Sequence, residues 1–149
     1  MVKIEYPDYQ PKIKMQAGKE YIFDEVRKRW VPLTPEEWVR QNFLQFMMRV
    51  KKYPAALIAV EKEIELGDLK KRFDIVLYKD DMPWMIVECK EGGVSLNRKV
   101  LDQVLLYNMS LRLPYLLITN GNYCYAFDVY ESQLREIDEL PAYQYDATI

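Results

Sequence analysis

"KRFDIVLYKDDMPWMIVECK", residues Lys71 to Lys90, reads as two apolar strands around a polar turn. It nevertheless carries an aspartate, a glutamate and a lysine, Asp74, Glu88 and Lys90, within that frame. The runs Phe73–Tyr78 and Trp84–Lys90 suit central strands covered on both faces, and Lys79–Pro83 supplies the turn. A hairpin centred on Asp81 puts Asp74 opposite Glu88, with side chains starting about 5 Å apart. Strand alternation then places Lys90 on the Glu88 face and sends Met85, Val87 and Cys89 into a core on the other.

Two carboxylates that close repel, so either one holds a proton or a cation sits between them. A hard divalent ion is the natural guest. Mg2+ suits best, with Mn2+ as a substitute, because it keeps several waters and needs only one or two protein carboxylates. Room is left for a phosphate oxygen and an activated water. A neighbouring lysine can orient or deprotonate that water, or neutralise charge developing on phosphorus. This combination points to phosphodiester hydrolysis. The bland alternative is an ordinary ion cluster, which gains little net stability for its desolvation.

The remaining chain supplies the frame. With 149 residues and 50% hydrophobic content it can bury one core, so a single domain over 1–149 is expected. Residues 1–20, with Pro7 and Pro11, read as an irregular arm. Tyr21–Asp24 and Arg29–Val31 are candidates for a short hairpin. Thr34-Pro35-Glu36-Glu37 supplies an N-cap, a proline at the first helical position and a capping-box glutamate. The helix that starts there has an apolar stripe of Val39, Phe43, Phe46, Met47 and Val50, which covers a sheet. Ala59–Leu66 alternates as a strand whose Glu61, Glu63 and Glu65 form a wet face. Gly92-Gly93, which turns the chain or lets a phosphate approach the backbone, leads to a helix from about Arg98 to Leu111. Tyr115–Thr119 and Tyr123–Val129 then flank Asn120-Gly121, a two-residue hairpin signal. The predicted class is α+β, one mixed β-sheet flanked by helices.

Composition removes several function classes. The 21 basic and 23 acidic residues leave a net charge of -2, so an anionic ligand needs a local patch. There is no histidine, and Cys89 and Cys124 have no metal-like spacing, which removes His-ligated zinc and His-dependent triads. No signal-peptide core and no membrane-length apolar run is present, so a soluble cytoplasmic chain without membrane contact is expected. No Walker-type phosphate loop occurs.

Asp74 followed by Glu88-Cys89-Lys90 at the end of an apolar strand is similar to the PD-(D/E)xK nuclease signature. Together with TPEEWVRQNF, KRFDIV, DQVLLYN and PYLLITNG, it resembles the N-terminal nuclease domain of type I restriction enzyme R subunits, from about Thr34 to Tyr125. Phe73 replaces the proline of the signature. The resemblance implies a restriction-endonuclease-like fold and a Mg2+-dependent DNA endonuclease. Its metal would be held by Asp74, Glu88 and the backbone carbonyl of Cys89, with Lys90 as the catalytic lysine. Such families often add a glutamate from the first helix. Glu36 is preferred over Glu37 because it falls within the arc of the buried stripe, whereas Glu37 projects away and serves the cap. Gln103 and Tyr107 resemble the accompanying QxxxY element, both on one helix face. Tyr107 also fits the apolar stripe, while a buried Gln103 is harder to explain by packing.

Lys70, Lys71 and Arg72 before the first motif strand, with Arg98 and Lys99 at the following helix, are candidates for holding the DNA backbone as a patch. Restriction-system or motor subunits are the implied partners, and a homo-oligomer is left open. The alternative from another class is a nuclease-fold DNA-binding or assembly module with little cleavage of its own. The intact Asp74, Glu88 and Lys90 favour the nuclease, and the acidic net charge favours the module.

Overall fold

Helix α1, Pro35–Arg49, begins where its capping residues place it. The Thr34 hydroxyl accepts the Glu37 N–H at 3.0 Å, Pro35 opens the first turn, and Glu36 and Glu37 sit at the positive end of the helix dipole. Val39, Phe43, Phe46 and Met47 are buried, but Val50 lies just past the helix and is exposed. The far side of α1 is buried too, through Glu37, Arg40, Gln41 and Gln45. A polar side can be buried only where its groups find partners. The β3–β4 hairpin described below provides them.

The computed structural model describes residues 1–111, 113–131 and 133–144. Within them the strands are β1 (Val2–Lys3), β2 (Ile13–Gln16), β3 (Lys19–Asp24), β4 (Arg29–Pro32), β5 (Ile58–Leu66), β6 (Leu69–Lys79), β7 (Met82–Cys89), β8 (Tyr115–Thr119), β9 (Tyr123–Tyr130) and β10 (Gln133–Ile137). The second helix, α2, spans Arg98–Leu111. One mixed sheet has the order β1-β9-β8-β7-β6-β5, with β10 also on β9; a separate antiparallel sheet is β2-β3-β4. Strands β7 and β8 are parallel with α2 crossing between them, and the other described pairs are antiparallel. This is the α+β, restriction-endonuclease-like arrangement expected from the sequence.

Consecutive β7 residues enter opposite cores, which explains the unbroken apolar run. Met85, Val87 and Cys89 join Phe43 and Met47 of α1 in one cluster, whereas Ile86 joins Phe73, Val76, Leu116 and Ile118 on the side packed by Leu101 and Leu105 of α2. Truncating Phe43, fully buried in the first cluster, to alanine should cost about 3–5 kcal/mol.

Three expectations are corrected. The first 20 residues are not simply irregular: β1 pairs with β9, and β2 pairs with β3 to build the smaller sheet. The β1–β9 pairing is non-local and leaves little local pattern, whereas β2–β3 is a hairpin closed by Ala17-Gly18, both at positive φ. Asn120-Gly121 is not a two-residue hairpin, because the ladder closes at Thr119–Cys124 and the loop is longer. There Asn120 Oδ1 accepts the N–H groups of Asn122 and Tyr123, so its side chain builds the turn. Lys70, Lys71 and Arg72 lie within β6 rather than before it. The β6–β7 turn, by contrast, falls within the expected Lys79–Pro83 segment, but it is centred between Asp80 and Asp81 rather than on Asp81, and a bulge at Leu77/Tyr78 restores the expected register beyond it. Asp80 and Asp81 have φ of +52° and +62°, as a type I′ turn requires.

Candidate active site

The predicted register holds at the end of the β6–β7 hairpin that carries the charges. Ile75 faces Val87 and Val76 faces Ile86, and a bulge at Leu77/Tyr78 affects only the turn end. Beyond Val87 the Cys89 N–H donates to Asp74 Oδ2 at 2.7 Å. The other carboxylate oxygen of Asp74 faces Arg40 Nη1 at 3.4 Å. Alternation breaks here: Phe73 shares a cluster with Val76 and Ile86, while the next residue, Asp74, reaches a side chain of α1. Across from Asp74, between the ladder pairs Val60–Ile75 and Lys62–Phe73, Glu61 adopts a φ of +53°. A non-glycine residue in this conformation stores on the order of 1–3 kcal/mol, and such irregularities concentrate at functional sites.

Glu88 is 8% exposed, and its Oε1 has no hydrogen-bond partner. Burial, reinforced by the Asp74 charge, raises its carboxyl to about 7, although Lys71 and Lys90 pull the other way. Lys90 follows β7, is half-buried, and donates its backbone N–H to the Thr119 carbonyl at 2.8 Å. Its ammonium also offsets the upward shift of Glu36, which comes first from partial burial and then from Asp74. The site thus brings together Asp74, Glu88, Lys90 and Glu36. Glu36 gets there from an exposed position, not from within the buried stripe.

Glu37 does not project away and does not close a capping box. It is buried, and its carboxylate receives Arg40 Nε and Nη2 at 2.7 and 2.9 Å, Arg27 Nη2 at 2.8 Å and Gln41 Nε2 at 3.2 Å. Burial alone would raise its carboxyl, but the Arg40 and Arg27 contacts outweigh it and hold it low. Arg27 continues to Asp24 at 2.6 Å. That carboxyl, with no solvent exposure, is likewise held low against its burial by the Arg27 N–H and guanidinium and by Gln41. A continuous chain of charge thus runs from Asp24 through Arg27, Glu37 and Arg40 to Asp74. Glu61, read from sequence as part of a wet face, touches it through Arg27 at 3.6 Å and Arg40 at 3.5 Å.

The sequence reading gave no site role to Asp24, Arg27 or Arg40, and took Glu61 as part of a solvated face. Only the Glu36/Glu37–Arg40 spacing, compatible with a pair on one helix face, hinted at any of them. Several members of the proposed basic patch have partners of their own. Lys70 pairs with Glu63 and Glu65, and Arg72 lies across from Glu63. Lys71 stands near enough to Glu88 to lower its carboxyl and lies 5.6 Å from the Phe73 ring centre. Arg98 pairs with Asp102 at 3.0 Å, and Lys99 is exposed. Gln103 is exposed rather than buried, which removes the packing argument for it; the side chain of Tyr107 lies outside the described residues.

Among the described residues, no group of three or more Asp, Glu, Cys or His side chains is gathered as a metal ligand set. The site offers two carboxylates and main-chain oxygen; the Cys89 side chain itself is buried in the core. Among the described residues, no helix is long and apolar enough to cross a membrane.

Neither a curated protein nor a solved structure matches the chain. The family model described as the type I restriction enzyme R protein N terminus matches residues 35–141, which include α1, the β6–β7 hairpin, α2 and every residue of the Asp74 site. With most of its length covered by that model, the chain belongs to the type I restriction enzyme R protein N-terminal family.

Proposed function

We propose that this domain is a metal-dependent DNA endonuclease that hydrolyses phosphodiesters, with Mg2+ as the resident ion and Mn2+ as a substitute. The observation that carries the reading is Glu88 Oε1, a buried carboxylate oxygen without a partner beside a second carboxylate. Leaving such an atom unsatisfied is costly unless it binds a proton or a cation. Asp74 and Glu88 would hold the ion, with the Cys89 carbonyl as a third ligand. Two carboxylates suffice for Mg2+, which retains water in its other positions. The bound ion supplies Lewis acidity toward a phosphate oxygen and lowers the pKa of a coordinated water.

The chain's own residues do the rest. Cys89 N–H fixes the direction of the Asp74 carboxylate. Lys90, whose ammonium influences both Glu36 and Glu88, would neutralise charge developing on the phosphate or orient the attacking water. Glu36 has its proton affinity raised by its surroundings, as suits a group that exchanges a proton with that water. Sequence choice and translocation along DNA would come from other parts of a restriction system.

One observation favours a second reading, a DNA-binding or assembly module with little cleavage. Asp74 already faces Arg40, so it has a cationic partner without metal. Incubating purified protein with plasmid and with single-stranded DNA, in Mg2+, Mn2+ or EDTA, separates the two. Metal-dependent strand scission lost in Asp74→Ala supports the nuclease. An inactive but DNA-binding wild type supports the module.

A further inference from the structure

A cavity of about 570 Å3 opens beside the Asp74 site, between the start of α1 and the β8–β9 turn. Its position follows from chain connectivity. Pro35 on its rim precedes Glu36, Gly92 lies two residues beyond Lys90, and Asn120 follows Thr119, whose carbonyl accepts the Lys90 N–H. None of the described residues that line it is charged. Trp38 forms one wall and is 44% exposed, although it stands on a helix whose first turn is fixed by its cap.

The opposite wall is held by its own bonds. The Tyr6 hydroxyl donates to the Gly121 carbonyl at 2.6 Å, and Asn120 Nδ2 donates to the Val94 carbonyl at 3.0 Å. Gly121 has φ of +94°, and a Cβ there would stand 3.2 Å from Val39, so the turn approaches α1 as closely as glycine permits. The cavity is therefore preformed and lies within the size range of small-ligand sites.

We propose that this cavity receives a nucleobase from an unpaired stretch of the substrate, stacked on the indole of Trp38. The inference rests on the nuclease reading above. An uncharged cleft adjoining a cluster of cationic and acidic groups divides a nucleotide by chemistry: phosphate at the charged site, flat apolar base in the neutral one. A charged or phosphorylated group finds no counter-ion in the cavity. Every base offers a π-face, so a stacking contact tolerates any sequence. A base inside a duplex would first have to be extruded, at a few kcal/mol, so the cavity selects single-stranded or locally opened DNA.

The test is the affinity of the whole chain for a 2-aminopurine-labelled 12-mer, single-stranded and as a duplex, in EDTA so that no cleavage intervenes. In Trp38→Ala the single-strand affinity should fall about 5- to 150-fold, the range for losing one base–aromatic stack. Duplex affinity should change less than twofold, and Trp38→Phe should retain most of the single-strand affinity. Equal losses on both DNAs, or no loss on either, would overturn the proposal; no loss on either is also what a pocket for a partner protein's side chain would give. Wild-type protein that binds single strands through Trp38 but cleaves nothing in Mg2+ or Mn2+ would remove the nuclease reading and leave the base pocket. Protein that cleaves while Trp38→Ala binds normally would remove the pocket alone.

Discussion

Cys89 donates its backbone N–H to Asp74 Oδ2 at 2.7 Å, beyond the last ladder pair of β6 and β7 at this end, Ile75–Val87. A side-chain carboxylate thus takes the place of a main-chain acceptor where the two strands part. The donor adjoins Glu88, so one bond ties Asp74 to the strand that carries the second carboxylate. The Asp74 carboxylate is thereby held against the strand that carries Glu88, so it is not free to swing away from the second charge.

Burial of Glu88, reinforced by repulsion from Asp74, sets a pH dependence. The Glu88 carboxyl stands at about 7 in the fold against an ordinary 4.5. The folded protein therefore binds this proton more tightly than the unfolded chain does. The resulting stabilisation is complete below about 4.5 and is lost as pH rises through about 7. Thermal melts in EDTA should show wild-type stability falling between those limits, and Glu88→Gln should flatten this part of the curve. Parallel curves for the two proteins would mean that Glu88 is not the titrating group.

Divalent metal should act in the opposite direction. An ion that binds only the native state stabilises by about 2.7 kcal/mol at a concentration 100-fold above its dissociation constant. Its ligands must be ionised, so the gain should grow as pH rises toward 8. Melts in millimolar Mg2+ or Mn2+ should show the increase for wild type and none for Asp74→Ala or Glu88→Gln. An unchanged wild-type melting temperature would leave only the ion cluster.

The two helix glutamates should separate cleanly. Glu36→Gln, at an exposed position, should leave urea denaturation within about 0.5 kcal/mol of wild type and reduce metal-dependent cleavage. Glu37→Gln removes the carboxylate shared by Arg27 and Arg40; Arg27 keeps Asp24, but buried Arg40 is left with only the longer contacts to Asp74 and Glu61, costing about 3–5 kcal/mol. That exceeds the loss expected from sequence, where Glu37 was only a cap residue. A Glu37→Gln protein as stable as wild type would mean that the buried charge chain contributes nothing.

What the sequence made legible has a common physical origin. The start of α1, the position of the β6–β7 turn and the span of α2 rest on caps, turn residues and periodicity, all of which act within a few residues. Counting back from a centre at Asp81 gave the register of Ile75 with Val87 only because a bulge at Leu77/Tyr78 offsets the tighter turn. Glu61 failed that logic, because a left-handed residue inside a strand carries no alternation signal of its own. Asp24, Arg27 and Arg40 were hidden for a different reason: their bonds join the β3–β4 hairpin to α1 and then to β6, and no local pattern encodes such a chain. The burial expected for Gln103 did not follow from its helix position, because the side chain is exposed.

Lys90 distinguishes a nuclease from a binding module most directly. Its ammonium lowers the Glu88 and Glu36 carboxyls, so Lys90→Ala should push both further up. Metal affinity near pH 6.5 should then weaken, since an ion must displace a more tightly held proton, while at pH 8.5 it should approach the wild-type value. DNA affinity should change little, because one cation among several phosphate contacts is a small share of a salt-dependent total. Cleavage, however, should fall by at least about 100-fold at both pH values if Lys90 acts on the attacking water or the phosphate. Cleavage that recovers together with metal affinity at pH 8.5 would assign Lys90 to tuning Glu88 alone. Measuring metal titration, DNA binding and strand scission on the same preparations separates these outcomes.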